Sequence, residues 1–251
     1  MKGTRYMTEN TTSNRPKAII VAGPPATGKT AVMLHVVQSL LRNEQKVAVV
    51  KVDCLETEDD KKYAELGVPV AIGLSNDICP DHFYAVNFEE MISWAEEKES
   101  QILVIETAGL CHRCAPGIDG VLTFCVVDCL SSIKTPQKAG PVVTTSDVVI
   151  VTKGDMVSQA EREVFKARIR EINPKALITE ANGLTGSGCE GLAAIVNQES
   201  PLEEISDSRL RYPMPTAICS YCMGEKRLGN KHQHGVVYKM DFNTRGGGLY
   251  A

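Results

Sequence analysis

The chain has 251 residues, 43% hydrophobic and 23% charged, with a formal net charge of -4, a composition that supports one large domain, or one of ordinary size with an appendage. The weakly acidic balance excludes the basic field expected of a nucleic-acid binder, and no apolar run approaches the roughly 20 residues that cross a bilayer. The first residues lack the apolar segment of a secretory signal, so a cytoplasmic protein is expected; there, nine cysteines speak for metal binding, catalysis or redox chemistry and against a disulfide framework.

Residues 1–16 are polar, rich in Thr and Asn and without hydrophobic periodicity, and are expected to form a flexible leader. Residues 17–22, KAIIVA, read as a short buried strand, followed by GPPATGKT and then by AVMLHVVQSLLR, whose apolar positions recur at helical spacing. Further strands are expected at 47–52 (VAVVKV), 102–105 (ILVI), 121–127 (VLTFCVV), 148–151 (VVIV) and 177–179, with helices between several of them, notably over 88–98 and 158–171. Short, nearly all-apolar strands alternating with helices indicate an α/β fold, a mostly parallel sheet with helices on both faces. The alternation stops near Ser200, after which Pro201, Pro213 and Pro215 punctuate a tail of different character. The expected organisation is a leader over 1–16, a Rossmann-like P-loop NTPase domain over 17–199 and a small Cys/His-containing extension over 200–251.

Gly23-Pro24-Pro25-Ala26-Thr27-Gly28-Lys29-Thr30 fits the phosphate-binding pattern G-x-x-x-x-G-K-[ST], with a strand before it and a helix after it, the context that gives the pattern its meaning. Glycines let backbone N–H groups wrap phosphate oxygens, and the helix N-terminus adds a favourable dipole. Lys29 is expected to meet the terminal phosphates and the Thr30 hydroxyl to bind Mg2+. Thr152-Lys153-Gly154-Asp155, closing the strand at 148–151, resembles the [NT]KxD signature of GTPases. There a carboxylate accepts two hydrogen bonds from guanine while the lysine stem covers the ring; adenine offers no matching pair of donors, and the unpaired charge selects against it. GTP is the expected nucleotide, with residues 182–188 (NGLTGSG) closing over its base. A preference for ATP would point instead to a small-molecule kinase.

With Glu106-Thr107-Ala108-Gly109, which resembles an ExxG element in place of the DxxG of most GTPases, the motifs resemble the CobW/HypB/UreG family of P-loop GTPases, which serve metallocentre assembly and related metal handling. Val52-Asp53, the following Thr57-Glu58-Asp59 and Lys138-Ala139-Gly140-Pro141 are similar to segments of the urease- and hydrogenase-maturation members, and the resemblance runs from about Lys17 to Val196. It implies that Asp53 orients Mg2+ or its waters alongside Thr30, that Glu106 lies beside Mg2+ and the attacking water, and that the Gly109 N–H senses the γ-phosphate. The reaction it implies is GTP hydrolysis, achieved by positioning and charge neutralisation and slow without a partner. Arg113 is a candidate arginine finger, a solvated loop arginine being the plainer reading.

Directly after the ExxG element come Cys111, His112 and Cys114, and Cys79-Pro80-Asp81-His82 resembles the CPH motif of urease-accessory members with one residue inserted, where the family's other switch segment is expected. Thiolate and imidazole ligands suit Ni2+, Co2+ or Zn2+, and Cys79, His82, Cys111 and Cys114 make a candidate four-ligand set, completed within one chain or shared across a dimer. Ligands on switch loops would make metal affinity depend on the nucleotide. The bland alternatives are a redox pair or two buried thiols, and for Cys54, Cys125, Cys129 and Cys189 packing is the default. In the tail, Cys219, Cys222, His232 and His234 follow a C-x2-C-x9-H-x-H spacing close to, but not, that of a zinc finger. A structural zinc knuckle, half of an iron–sulfur site and a client-docking arm all remain open. Two functions are therefore expected alternatives. In one, GTP hydrolysis drives a metal ion or metallocofactor into a client apo-metalloenzyme, or passes it to that enzyme's assembly factors, with the protein acting as a homodimer. In the other, the protein is a GTP-regulated switch or adaptor whose cysteines are structural or redox-active.

Overall fold

The structure, a computed structural model, describes residues 15–109, 114–203, 205–213, 224–232, 238–242 and 248–249. Seven parallel strands form one sheet in the order β3-β2-β4-β1-β5-β6-β7. They are β1 (Lys17–Ala22), β2 (Val47–Asp53), β3 (Val70–Leu74), β4 (Ile102–Thr107), β5 (Leu122–Asp128), β6 (Val148–Thr152) and β7 (Leu177–Glu180). Alternate residues of β1 go to opposite faces, as the strand period requires. Ile19 and Val21 pack with α1 (Lys29–Arg42) and α7 (Cys189–Gln198), while Ala18 and Ile20 pack with α3 (Pro80–Glu97). Farther along that second face, α4 (Thr135–Ala139), α5 (Pro141–Thr144) and α6 (Gln159–Ile172) cover β5 and β6. On the α1 side, α2 (Asp59–Ala64) sends Tyr63 into the core.

Two elements depart from the sequence expectations. β3 is five residues of VAIGL at a sheet edge, too short and too glycine-broken to announce itself; Gly73 is there because a Cβ would press on the Phe83 ring. α3 begins at Pro80, eight residues before the expected start, with proline at the first turn where its missing N–H costs nothing. Its first two turns are buried all round, from Pro80 through Phe88, so they carry no amphipathic period to read. By contrast α6 starts where expected, on a capping box in which Ser158 and Glu161 satisfy each other's backbone N–H groups.

The described part of the tail shares the core of the sheet domain. Leu210, Leu228 and Met240 are buried in the cluster that contains Ile20, Val50 and Phe88. The Asn87 carboxamide, fully buried in α3, donates to the Tyr238 carbonyl at 2.9 Å and accepts from the Met240 N–H at 2.8 Å. Arg211 donates to the carbonyls of Ile118, Val121 and Thr145 and to the Asp147 carboxylate, and Phe242 stacks on Trp94 with ring centroids 5.7 Å apart. Each such buried hydrogen bond is worth about 1 kcal/mol. A short ribbon pairs β8 (Lys239–Met240) with β9 (Gly248–Leu249). Among the described residues no helix is long and apolar enough to cross a membrane.

Candidate functional site

β1 lies where the strand order turns, β4 on one side and β5 on the other, and the crevice beyond the carboxyl ends of the strands at such a point is where ligands bind in open α/β sheets. The loop 23–28 fills its mouth. Gly23 has φ +136°, and a Cβ there would overlap the Val126 carbonyl. Gly28 opens α1 in the left-handed region with no side chain capping the helix, which leaves the first N–H groups of α1 for an anion. Lys29 is buried and donates to the carbonyls of Gly23 and Pro24, both at 3.0 Å. Burial lowers its pKa, against an upward pull from Glu106, so a phosphate would give this ammonium the anionic partner its neighbours on the loop do not supply.

Behind the lysine, oxygen donors converge. The Thr30 hydroxyl lies 2.6 Å from Glu106 Oε1 and 2.9 Å from Asp59 Oδ2. The sequence reading expects Asp53 to orient Mg2+ or its waters; the carboxylate bonded to Thr30 itself is that of Asp59, the first residue of α2. Asp53 Oδ1 accepts the N–H of Cys54 at 2.8 Å. Glu106, next to the end of β4, is fully buried and has two partners that the motifs did not reveal. Lys51 Nζ sits 2.6 Å from its Oε1, and the Tyr63 hydroxyl donates to its Oε2 at 2.8 Å. Lys51 also lies 3.1 Å from Asp59 Oδ2 and 3.4 Å from Thr30 Oγ1. Burial works to lower the Lys51 pKa, but the carboxylates of Glu106 and Asp59 outweigh it and raise it. Asp59, in spite of partial burial, is drawn down to about 2 by Lys62 and Lys51. The sequence reading missed Lys51; the one local sign of it is a single lysine within the apolar run VAVVKV. Three hard oxygen donors, Thr30, Asp59 and Glu106, make a set that fits Mg2+.

The base side is built from β6 and the loops around it. The Thr152 hydroxyl donates to the Thr27 carbonyl at 2.7 Å. Lys153, in the left-handed region at φ 56°, donates to the Ala26 carbonyl at 2.9 Å and to Asp128 Oδ2 at 3.2 Å. The TKGD turn is thus bonded directly to the phosphate loop. A cavity of about 220 Å³ lies between them, lined by Thr27, Ala31, Lys153, Asp155, Asn182 and Gly183 among others. Asn182 Oδ1 accepts the N–H groups of Leu184 and Thr185 and so shapes the closing loop. A flat base with a lysine stem over it and Asp155 at its edge fits this space.

The third group is sulfur-rich. Cys79 Sγ, Cys114 Sγ and a carboxylate oxygen of Asp81 all lie within 4.8 Å of one another. The sequence reading names His82 beside the cysteines; the geometry gathers Asp81, because successive helical residues point about 100° apart and α3 starts one residue before Asp81. His82 is fully buried in the same turn. Cys111, Arg113, Cys219, Cys222 and His234 lie outside the described residues; His232 is described, its N–H bonded to the Gly229 carbonyl. The Cys79 thiol is drawn down to about 6, first by a hydrogen bond from Cys114 and also by the N–H groups of His82 and Asp81. Asp81, wholly buried beside that thiolate, is pushed up to about 8. The remaining described cysteines are different: burial pushes Cys125 up to about 12 and Cys129 and Cys189 up to about 11, and raises Cys54, as for packed neutral thiols.

The sulfur group and the phosphate loop touch. Gly23, Pro24, Asp81, Gly109 and Cys114 line one small pocket. Gly109 has φ +73°, and a Cβ on it would overlap the Gly23 carbonyl oxygen and approach Lys29 Nζ. The glycine of the ExxG element is therefore seated on the phosphate loop, five residues before Cys114.

The sequence model of the CobW/HypB/UreG nucleotide-binding domain matches residues 17–180, the span from β1 to β7. The chain is 48% identical over 225 residues to an uncharacterized protein of Methanocaldococcus jannaschii, covering 90% of this chain and 96% of that one. Among solved structures, the hydrogenase maturation factor HypB of Archaeoglobus fulgidus superimposes with a TM-score of 0.58 at 19% identity, over 72% of this chain and 89% of that one. HypB of Helicobacter pylori, solved in complex with nickel, does so with a TM-score of 0.59 at 16% identity, over 76% and 93%. At these identities the likeness to the solved structures is one of fold.

Proposed function

The chain belongs to the CobW/HypB/UreG family, and on that premise we propose that it binds and hydrolyses GTP and couples the cycle to handing a transition-metal ion to a client apo-metalloenzyme or its assembly factors in the cytoplasm. The observation that carries this reading is the shared pocket in which Asp81 and Cys114 meet Gly23, Pro24 and Gly109. Lys29 and the first N–H groups of α1 hold the phosphates, and Asp155 selects guanine. Thr30, Asp59 and Glu106 hold Mg2+, which when bound neutralises charge on the transferring phosphoryl group. The Gly109 N–H meets the γ-phosphate. The presence or absence of that phosphate would shift Gly109 and with it the position of Cys114 relative to Cys79 and Asp81 on α3.

The cargo ion takes Cys79, Asp81 and Cys114, with Cys111 as fourth ligand; thiolate-rich sets of this kind suit Ni2+, Co2+ or Zn2+. That the Helicobacter HypB structure holds nickel favours Ni2+ as the first to try. A homodimer is supported by Leu55, Leu130, Ile133, Met156 and Leu184, large apolar side chains exposed on loops that all leave the carboxyl edge of the sheet. Equilibrium dialysis of the full chain against each ion, beside Cys79→Ser/Cys114→Ser, tests the proposal. The variant is expected to lose one ion per chain and to keep its GTP affinity. Unchanged loading would move the metal elsewhere, Cys219 and Cys222 being next to examine. The hydrogen bond between Cys79 and Cys114 favours a second reading, a GTP-regulated switch with a redox pair; it requires a Cys79–Cys114 disulfide under mild oxidation and no bound ion in the reduced protein.

A further inference from the structure

The carboxylate oxygens around Thr30 are all engaged. Glu106 Oε1 faces Lys51 at 2.6 Å and Thr30, and its Oε2 accepts from Tyr63. Asp59 Oδ2 faces Lys51 at 3.1 Å and Thr30, and its Oδ1 faces Lys62 at 2.8 Å. Among the described residues Lys51 Nζ is thus the one cationic group that contacts Thr30, Asp59 and Glu106 together, which is the position a divalent cation held by those three oxygens would take. Its side chain is 5% exposed and projects from the middle of β2. A divalent ion cannot share this space, since it would need the oxygens at about 2.0–2.1 Å with an ammonium beside it.

From this we infer that Lys51 is a tethered counter-ion of the cation site: it holds the place of the divalent ion, and the ion enters only as the nucleotide phosphates arrive and the ammonium is displaced. With Lys51 in place the triad of Asp59, Glu106 and Lys51 carries one net negative charge, too little to draw in a bare divalent cation against the loss of the buried Lys51–Glu106 pair and the partly buried Lys51–Asp59 pair. Triphosphate oxygens supply the missing charge and ligands. Lys51 in this way makes cation and nucleotide binding mutually dependent, and it keeps stray divalent ions, the proposed cargo included, off the hydrolytic centre. The inference rests on the nucleotide reading of this crevice.

The test is an electron paramagnetic resonance titration of full-length protein with Mn2+, without nucleotide, in a Cys79→Ser/Cys114→Ser background that removes the thiolates. Lys51→Met is expected to bind Mn2+ at least about tenfold more tightly than the parent, and its melting temperature should rise with Mn2+ where the parent's does not. Lys51→Met/Glu106→Gln, which has neither buried charge, should fold and bind Mn2+ no better than the parent. If Lys51→Met folds only when Mn2+ is present, that carries the same answer; if it folds in neither condition, Lys51→Gln takes its place in the same comparison. Equal Mn2+ affinity in the folded lysine variant and the parent would overturn the inference, as would tight nucleotide-free binding by the parent. Adding a non-hydrolysable GTP analogue to the parent reads the nucleotide assignment separately: no analogue binding sinks that assignment and leaves the Mn2+ comparison standing.

Discussion

At neutral pH the Cys79 thiol, drawn down to about 6, is ionised, whereas Asp81, pushed up to about 8, keeps its proton and Cys114 donates to the thiolate. A divalent ion that takes all three as ligands must then displace about two protons, from Cys114 and Asp81. Metal affinity should accordingly rise with pH between 6 and 8, by about a hundredfold per pH unit from these two groups and more steeply with Cys111 as fourth ligand, and fall further below 6 as Cys79 itself takes up a proton. Titrations at several pH values check this, and a flat profile would remove Asp81 and Cys114 from the ligand set. On the nucleotide side, Asp155→Asn exchanges an acceptor for a donor at the base edge. It should weaken GTP by about a hundredfold and xanthosine triphosphate far less; equal loss of both in a competition assay would end the case for guanine selection. Residues whose place is set by a short motif, such as Lys29, Thr30 and Asp155, are legible in the sequence, because the motif fixes the local backbone that presents them. Lys51, Asp59, Tyr63, Asp81 and Asp128 are not, because their roles depend on how separate segments meet in space.

Between residue and fold stand the elements that connect the two sites. β4 carries Glu106 next to its last residue, the turn at Gly109 leans on Gly23, and Cys114 follows; α3 carries Cys79 and Asp81 at its start and the tail along its length. Gly109→Ala should therefore damage communication before it damages binding. The added Cβ has no room and the backbone is held at positive φ, so the analogue-over-GDP preference should shrink by about tenfold while GDP affinity stays within about threefold, as fluorescent-nucleotide titrations would show. The alternation of strands and helices was readable from the largely apolar runs of β1, β2, β4, β5 and β6 and from the short β7. β3 escaped because Gly73 interrupts five residues, and the start of α3 escaped because Pro80 to Phe88 is buried on every side. The docking of Leu210, Leu228 and Met240 onto α3 has no local signature at all, since it depends on chain segments more than a hundred residues apart.

Taken whole, the molecule places the cavity proposed for guanine, the phosphate loop, the oxygen cluster proposed for Mg2+ and the sulfur group along one edge of a parallel sheet, with exposed Leu55, Leu130, Ile133, Met156 and Leu184 on the same edge. A second copy meeting that edge would cover the apolar side chains and the nucleotide together, so nucleotide and oligomeric state should be linked. The central claim is that the γ-phosphate and the cargo ion sense each other through Gly109 and Cys114. Its most direct test is a titration of the reduced protein with Ni2+, Co2+ and Zn2+ in three states, nucleotide-free, GDP-bound and bound to a non-hydrolysable GTP analogue, with the oligomeric state recorded in each. A metal affinity that differs by about tenfold or more between the GDP and analogue states, roughly 1.4 kcal/mol of coupling, is the expected result; an affinity indifferent to nucleotide would contradict it.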